Sequence, residues 1–189
     1  MKKIISVILY ILSALGIALY FILASRVSPF LRAGLYAIVC VAALTASLIL
    51  HDRRLTKTVL IVLFFVYLHL LLSMLFLDSY FGRTSAYSSV NLIPFKTIIG
   101  YFKADAYSFA VNIIGNLAAF MPFAFFLPLL FKAHRNLGVF LLSITAVVVI
   151  VELLQYILGC GACDVDDLLL NVGGAWIAHI LVNNFLKST

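Results

Sequence analysis

The sequence has very few charged side chains, and acidic ones are the scarcest. Charged residues make up 11% of the 189 positions and hydrophobic residues 65%, whereas about a quarter of a soluble domain is charged. This shortage of polar surface excludes a soluble globular domain. The mean hydropathy of +1.20 indicates an integral membrane protein. Because a spanning helix needs about 20 apolar residues, the length allows roughly five or six spans.

The sequence also lacks a basic stripe interleaved with aromatic residues, although its net charge is +6. No nucleic-acid partner is therefore expected. The Lys and Arg residues lie between apolar runs, where they set the topology and meet anionic lipid heads. Membrane lipids are the expected partners.

Six charge-poor runs divide the chain, and in lipid each must be a helix, because every backbone group has to be satisfied within its own segment. We expect one membrane domain, residues 1–189, with three spans in residues 1–77. The fold class is an all-α bundle of about six spans. The first run is too long for a signal peptide, and no clear cleavage site follows it. The fourth, interrupted by Pro122 and Pro128, either spans or is re-entrant. The runs are Ile4–Ser25, Ala33–Leu50, Thr58–Leu77, Ala106–Phe131, Asn136–Gly159 and Leu168–Leu186.

Lys and Arg in the connections predict the orientation. With the N-terminus inside, eight of these residues fall inside and five outside, so both termini are expected in the cytoplasm. The connections 78–105 and 160–167 then share the outer side. The apolar residues of the first connection suggest a segment that returns to the membrane surface.

Four of the seven carboxylates lie within residues 151–175. Glu152, the only Glu, shares a helix face with Gln155 at i, i+3. An acid in a spanning helix is costly and by default marks a functional site, although a structural hydrogen bond between helices is the alternative. Asn112 and Asn116, at i, i+4 on the fourth run, are ordinary helix glue if taken alone.

A second polar face approaches and enters the sixth run. Asp164, Asp167 and Asn171 fall at i, i+3 and i+7, while Asp166 points elsewhere and is expected to be solvated. Helix capping by Asp164 and a favourable helix dipole at Asp167 are the simple explanations, yet capping does not account for a third acid. Asp164, Asp166 and Asp167 would also suit a divalent cation such as Mg²⁺ or Ca²⁺. The spacing matches no metal motif, and no other cofactor is evident.

Three of these polar residues are predicted to share a depth. At about 1.5 Å rise per residue, Asn112, Glu152 and Asn171 lie about 8, 10 and 5 Å from the outer ends of their helices. The sequence therefore predicts a polar pocket in the outer leaflet.

The cysteines support no redox function, since a soluble βαβ frame is absent. Cys40 is most simply a small buried hydrophobe. Cys160 and Cys163 flank a Gly-Ala pair in the outer connection. They form either a disulfide staple in an oxidising space or two free thiols.

Three segments resemble the VanZ-like family of small bacterial membrane proteins, over residues 91–175. They are NLIPF at 91–95, NIIGNLAAFMPFAFFLPLL at 112–130, and VELLQ followed by DVDDLLLNVGGA at 151–175. The resemblance implies a multi-pass protein of the bacterial plasma membrane, with a role in the cell envelope or in resistance to the glycopeptide teicoplanin. It implies no settled reaction. The family's characteristic polar positions fall on Asn91, Pro94, Asn112, Asn116, Glu152, Gln155, Asp164, Asp167, Asn171 and Gly174.

The chain departs from the family at one position. Family members commonly carry an Arg three residues before the first Asp of this pattern, and Gly161 stands there instead. A counter-charge for the acids is therefore missing, and the basic residues available to replace it are Arg83, Lys96 and Lys103.

We expect the pocket to bind or modify an acylated or lipid-linked ligand, such as a lipoglycopeptide or a lipid-linked cell-wall precursor. The expected ligand-binding residues are Asn91, Asn112, Asn116, Gln155, Asp164 and Asn171. An enzymatic alternative is a metal-assisted transferase or hydrolase on a lipid head group, with Glu152 and Asp167 as catalytic residues. A structural or transport-like protein, with its polar residues acting as helix glue, is the third alternative.

Overall fold

A computed structural model describes residues 53–77 and 89–188, together with scattered positions among residues 11–40. The first two predicted runs, Ile4–Ser25 and Ala33–Leu50, lie outside the described residues except for those scattered positions. Arg83 also lies outside them.

The described ranges are mainly helical, with two strands of two residues each. Helix α1 is Arg53–Leu72 and continues as a π-helical turn, Ser73–Leu77. Strand β1 is Val90–Asn91, α2 is Lys96–Phe102, and α3 is Ala106–Phe109. A π-helical turn, Ala110–Ile114, leads into α4, Gly115–Ala119, and α5 is Phe123–Leu130. A 3₁₀ turn at Lys132–Arg135 precedes α6, Leu137–Ile157; β2 is Cys163–Asp164 and α7 is Val165–Ser188.

Four helical stretches within these ranges are long enough and apolar enough to cross a membrane. They agree with the third to sixth predicted runs to within a few residues, which confirms a mainly helical membrane fold. The total of six spans and the direction of insertion stay predictions. The four stretches are Thr56–Leu77, Ala106–Leu130, Leu137–Ile157 and Val165–Asn184.

The stretch Ala106–Leu130 is built from short helical pieces rather than one continuous α-helix. It begins at Asp105, whose carboxylate accepts the N–H groups of Tyr107 and Ser108, both at 3.0 Å. The Ser108 hydroxyl and N–H, followed by the Tyr107 N–H, lower the pKa of Asp105 below its ordinary value of 3.8. A turn ending at Pro122 separates α4 from α5, because proline suits the start of a helix better than its interior.

Helix α6 has a defined start and end, which fix the position of its polar residues. The Asn136 side chain accepts the Val139 N–H at 3.1 Å and caps the first turn. Gly159, with φ 67°, provides the left-handed residue that commonly follows a helix. The buried stripe of α6 continues from apolar into polar residues without changing face: Phe140, Ile144, Val148, Val151, Glu152 and Gln155.

The chain divides into two compact units after Met74. In the first unit, the Tyr36 hydroxyl donates to the Leu63 carbonyl at 3.0 Å. In the second unit, the core between α4, α5, α6 and α7 contains fully buried apolar side chains: Phe120, Ala124, Phe140, Ile144, Val148 and Ala175.

Within the second unit, the two predicted outer connections meet. Strand β1 pairs in parallel with β2, placing Val90 opposite Cys163 and Asn91 opposite Asp164. The Cys163 N–H also donates to the Ser89 carbonyl at 3.0 Å. The start of α7 is therefore tied to the segment that precedes α2.

Candidate functional site

Asp164 is the centre of the hydrogen bonds at this end of the second unit. Its Oδ1 accepts from Asn91 Nδ2 and from the Asp166 N–H, both at 2.9 Å. Its Oδ2 accepts from the Thr97 hydroxyl at 2.6 Å. The Asp164 N–H in turn donates to Glu152 Oε2 at 3.1 Å. One residue thus joins α6, β1, the start of α2 and the start of α7.

Asp166 is fully buried, with 0% of its surface exposed, so the prediction that it is solvated is wrong. Its carboxylate accepts three backbone N–H groups, from Phe95 at 2.5 Å, Thr97 at 2.8 Å and Ile98 at 3.1 Å. The first turn of a helix leaves its N–H groups without helical partners, and α2 has no side-chain cap of its own. Asp166 therefore caps α2 from another helix, where an anion is favoured.

The turn that Asp166 holds has an unusual backbone. Phe95 has φ 65° and ψ 0°, and among the described residues it alone has positive φ without being glycine. Pro94 precedes it, and the Lys96 N–H reaches the Ile93 carbonyl at 3.4 Å, which is the pattern of a type II turn. Since that position favours glycine, the turn stores strain of about 1–3 kcal/mol, and the Asp166 hydrogen bonds offset it.

The turn and α2 expose large apolar side chains beside these buried acids. This exposure fits the expectation that the connection returns to the membrane surface. The exposed side chains are Leu92, Ile93, Phe95, Ile99 and Phe102.

A second set of contacts joins α4 to α7. Asn116 Nδ2 donates to Asp167 Oδ1 at 2.5 Å. Two turns further along α7, a Cβ on Gly174 would collide with the backbone carbonyl of Leu117, so the two helices touch at their backbones there. We call Asn91, Asn116, Glu152, Asp164 and Asp167 the polar cluster.

Asn171 lies on α7 between Asp167 and Gly174 and is 2% exposed. Its Nδ2 donates to the Asp167 carbonyl at 2.8 Å. Its Oδ1 is buried and has no hydrogen-bond partner among the described residues.

Two of the predicted ligand-binding residues bond elsewhere. Asn112 lies in the π-helical turn and donates to the Ser108 carbonyl of its own helical stretch at 2.8 Å. Gln155 is 1% exposed and donates to the Leu75 carbonyl at 2.9 Å. These contacts are those expected of helix glue. The bonds recorded for the two side chains do not reach the polar cluster.

The observed helix bounds bring the polar residues to similar depths. At about 1.5 Å per residue, Asn112 lies about 9 Å from the start of its stretch at Ala106. Glu152 lies about 8 Å from the end of α6, and Asn171 about 9 Å from the start of α7. The hydrogen bonds around Asp164 and Asp167 place these helix ends at one end of the second unit.

The acids of the site do not form a metal centre in the part of the chain that the structure describes. No three His, Cys, Asp or Glu side chains there are placed to hold a metal ion. Both oxygens of Asp166 accept backbone N–H groups, which accounts for its burial without a cation. A divalent cation at Asp164, Asp166 and Asp167 stays a prediction without geometric support.

Cys160 and Cys163 are free thiols, so the two cysteines form no disulfide staple here. Burial raises the pKa of Cys163, and the charges of Glu152 and Asp164 raise it further. Lys96 and Lys103, two of the predicted replacements for the missing Arg, are exposed.

Sequence reasoning missed Thr97 altogether, and it considered Asp166 only as a solvated acid or a metal ligand, not as the cap of α2. Thr97 accepts from Asn91 Nδ2 at 2.9 Å as well as donating to Asp164. The sequence signal that could have found this turn is the Pro-Phe pair before α2. A type II turn usually has glycine after the proline, so the phenylalanine conceals the turn type.

The fold and the site define a helical membrane protein with buried carboxylates and amides gathered at one end of its helices. The sequence profile of the VanZ/LLP1 family matches residues 64–186, and the chain therefore belongs to that family. The match confirms the resemblance and extends beyond residues 91–175 on both sides. No curated protein and no solved structure matches the chain.

Proposed function

We propose that this VanZ-like protein is a multi-pass protein of the bacterial plasma membrane that lowers susceptibility to teicoplanin. In this proposal its polar cluster, in the outer leaflet, binds or modifies the head of an acylated or lipid-linked ligand. The observation that carries the proposal is the meeting of residues from separate elements: Glu152 of α6 with Asp164, and Asn116 of α4 with Asp167 of α7.

The free-energy cost of burying an acid in the cluster supports a binding role over a purely structural one. Buried acids in a membrane protein are expensive, and they are found where they serve a site or a pathway. Polar contacts that serve only as glue average about 0.6 kcal/mol each in membrane helices. That modest role describes Asn112 and Gln155, but it gives little reason to bury the Glu152 carboxylate as well.

The surroundings of the cluster fit an amphiphilic ligand. A polar head about 8–9 Å inside the helix ends would lie beside exposed apolar side chains, among them Leu92, Phe95 and Ile99. An acyl chain could pack on these side chains while its head meets the cluster. Teicoplanin carries an acyl chain, and lipid-linked wall precursors carry a long one.

The enzymatic alternative has less support. A metal-assisted transferase or hydrolase needs ligands that converge, and in residues 53–77 and 89–188 the acids do not converge in that way. In an enzymatic version that needs no metal, Glu152, which is 6% exposed, would be the catalytic base.

The test is susceptibility to teicoplanin and vancomycin in a sensitive Gram-positive host, with membrane levels matched by blot. Wild-type protein should protect against teicoplanin but not against vancomycin. Glu152→Gln and Asp167→Asn should remove that protection. Asp105→Asn is the matched control, because it makes the same charge change at an exposed helix cap. Equal teicoplanin susceptibility with and without wild-type protein would rule out the resistance role. Loss of membrane protein in the Glu152→Gln variant alone would favour helix glue.

A further inference from the structure

Among the predicted site residues that the structure describes, Asn171 has a side-chain oxygen that is both buried and without a hydrogen-bond partner. A buried carbonyl oxygen normally accepts at least one hydrogen bond, because leaving it unpaired costs free energy. An unpaired buried group in a native protein calls for an explanation, such as strain, a catalytic role, or a bound water or ion. Asn171 therefore has an acceptor position that the protein itself leaves open.

The orientation of this amide is fixed by its other end. Asn171 Nδ2 donates to the Asp167 carbonyl at 2.8 Å. Rotating the amide by 180° would place two oxygens against each other, so the oxygen and nitrogen cannot be exchanged without losing that bond. The open position is therefore an acceptor for a hydrogen-bond donor or a cation, and a donor is favoured because no three His, Cys, Asp or Glu side chains of the described residues are placed to hold a metal ion.

The oxygen also lies on the face of α7 that meets α4. Asp167, one turn before Asn171, binds Asn116 of α4. Gly174, three residues after Asn171, leaves no room for a side chain against Leu117 of α4. Asn171 lies between these two contacts, and its open acceptor belongs to the same interface as the Asn116–Asp167 pair of the polar cluster.

We infer that Asn171 Oδ1 accepts a hydrogen bond from the head group of the ligand, and that this head group presents a hydroxyl or N–H donor. A sugar or amide head is therefore preferred to a phosphate. A phosphate monoester is nearly all dianion at pH 8 and brings only acceptors. The inference rests on the proposed function, since it assigns the ligand class of that same site.

Two amphiphiles with the same chain test the inference: dodecyl glucoside and dodecyl phosphate. Each is added at pH 8 to full-length protein in nanodiscs, at concentrations that leave the discs intact, and thermal unfolding is followed. The glucoside should raise the unfolding temperature of the wild type in a saturable way. The phosphate should produce a smaller shift or none. Equal shifts from both probes, or no shift from the glucoside, would overturn the inference.

Asn171→Leu tests the oxygen directly. This variant should unfold at the same or a higher temperature without ligand, because it removes an unpaired buried carbonyl, and it should lose the glucoside shift. Asn171→Ala serves the same purpose if leucine does not fit. Asn184→Leu, an exposed amide at the far end of the same helix, is the matched control and should keep the shift. A glucoside shift retained in Asn171→Leu would mean that the oxygen holds only a buried water.

The two proposals fail in different ways. If Asn171→Leu keeps the glucoside shift while Glu152→Gln loses teicoplanin protection, only the ligand class is wrong. If the wild type gives no protection, the resistance role fails, and the glucoside shift still decides the donor preference of the site.

Discussion

Replacing Asp166 with asparagine should release the turn that leads into α2. In the wild type its carboxylate accepts three backbone N–H groups, and hydrogen bonds to a charged group are worth about 1.5–3 kcal/mol each. An asparagine oxygen can keep the bonds to Thr97 and Ile98, in weaker neutral form. Its NH₂ group would then face the Phe95 N–H, donor against donor. Losing one charged bond and weakening two should destabilise the closed turn by about 3 kcal/mol.

Amide hydrogen exchange measures this release directly. Since each 1.4 kcal/mol is about a factor of ten, exchange at Phe95, Thr97 and Ile98 should be about 100-fold faster in Asp166→Asn. Exchange in the middle of α6, from Ile144 to Val148, should change far less, because opening this turn leaves that helix intact. Asp105→Asn again serves as the matched control.

The refuting result is specific to these three amides. If their exchange in Asp166→Asn equals that of the wild type, the carboxylate does not hold the turn. If exchange rises equally throughout residues 89–188, the variant has lost global stability, and the role assigned to Asp166 as a local cap is wrong.

Three further predictions follow from neighbouring contacts. Gly174→Ala should lower the free energy of unfolding by about 3 kcal/mol or more through a backbone collision. Gly173→Ala, which meets open space, should be neutral or should raise the free energy of unfolding by up to about 1 kcal/mol. Equal thermal unfolding of the two variants would contradict this. Cys163 should alkylate slowly near pH 8, because its raised pKa leaves little thiolate. Glu152→Gln should lower that pKa and speed its alkylation, followed by peptide mass spectrometry, and an unchanged rate would mean that Glu152 carries no charge. Phe95→Gly should relieve backbone strain and stabilise the protein by about 1 kcal/mol, and a lower unfolding temperature would show that the exposed ring matters more.

The four apolar stretches of the described residues and the meeting of the connections 78–105 and 160–167 could be predicted because each follows from a strong constraint. Length and hydropathy define a membrane helix almost alone. Alternating direction then places Asn91 and Asp164 at the same end of the bundle. The burial of Glu152 could also be expected, since an acid in an apolar helix seeks the interior.

The capping role of Asp166 escaped prediction because helical spacing describes only a residue's own helix. Helical spacing set Asp166 apart from Asp164, yet the carboxylates of both residues bind Thr97. The error lay in assuming that the Asp166 side chain meets water, whereas the turn at Phe95 covers it. Which segment covers a helix face depends on tertiary packing, and a single sequence does not record it.

Tertiary packing also decides the contacts of other polar residues, whether or not their spacing fits the predicted site. Asn112 and Gln155 fit the pattern of the site but donate to nearby carbonyls instead. At the other end of α7, His179 stacks on Phe140 with ring centroids 4.3 Å apart, and one of its ring nitrogens lies 2.9 Å from the His134 carbonyl. Neither contact follows from sequence spacing.

The contacts of Asp164 with Asn91 and Glu152 form only late in synthesis, because Asp164 is the last of the three residues to be translated. Asn91 and Asp164 are 73 positions apart, and the stretches Ala106–Leu130 and Leu137–Ile157 lie between them. Translation delivers Glu152 to the bilayer before it delivers the Asp164 N–H that binds it. A nascent chain therefore passes through a stage in which an acidic helix has been inserted ahead of the connection that satisfies it. Completion of α7 ends that stage, so a chain truncated just before Asp164 should be a preferred substrate for membrane quality control.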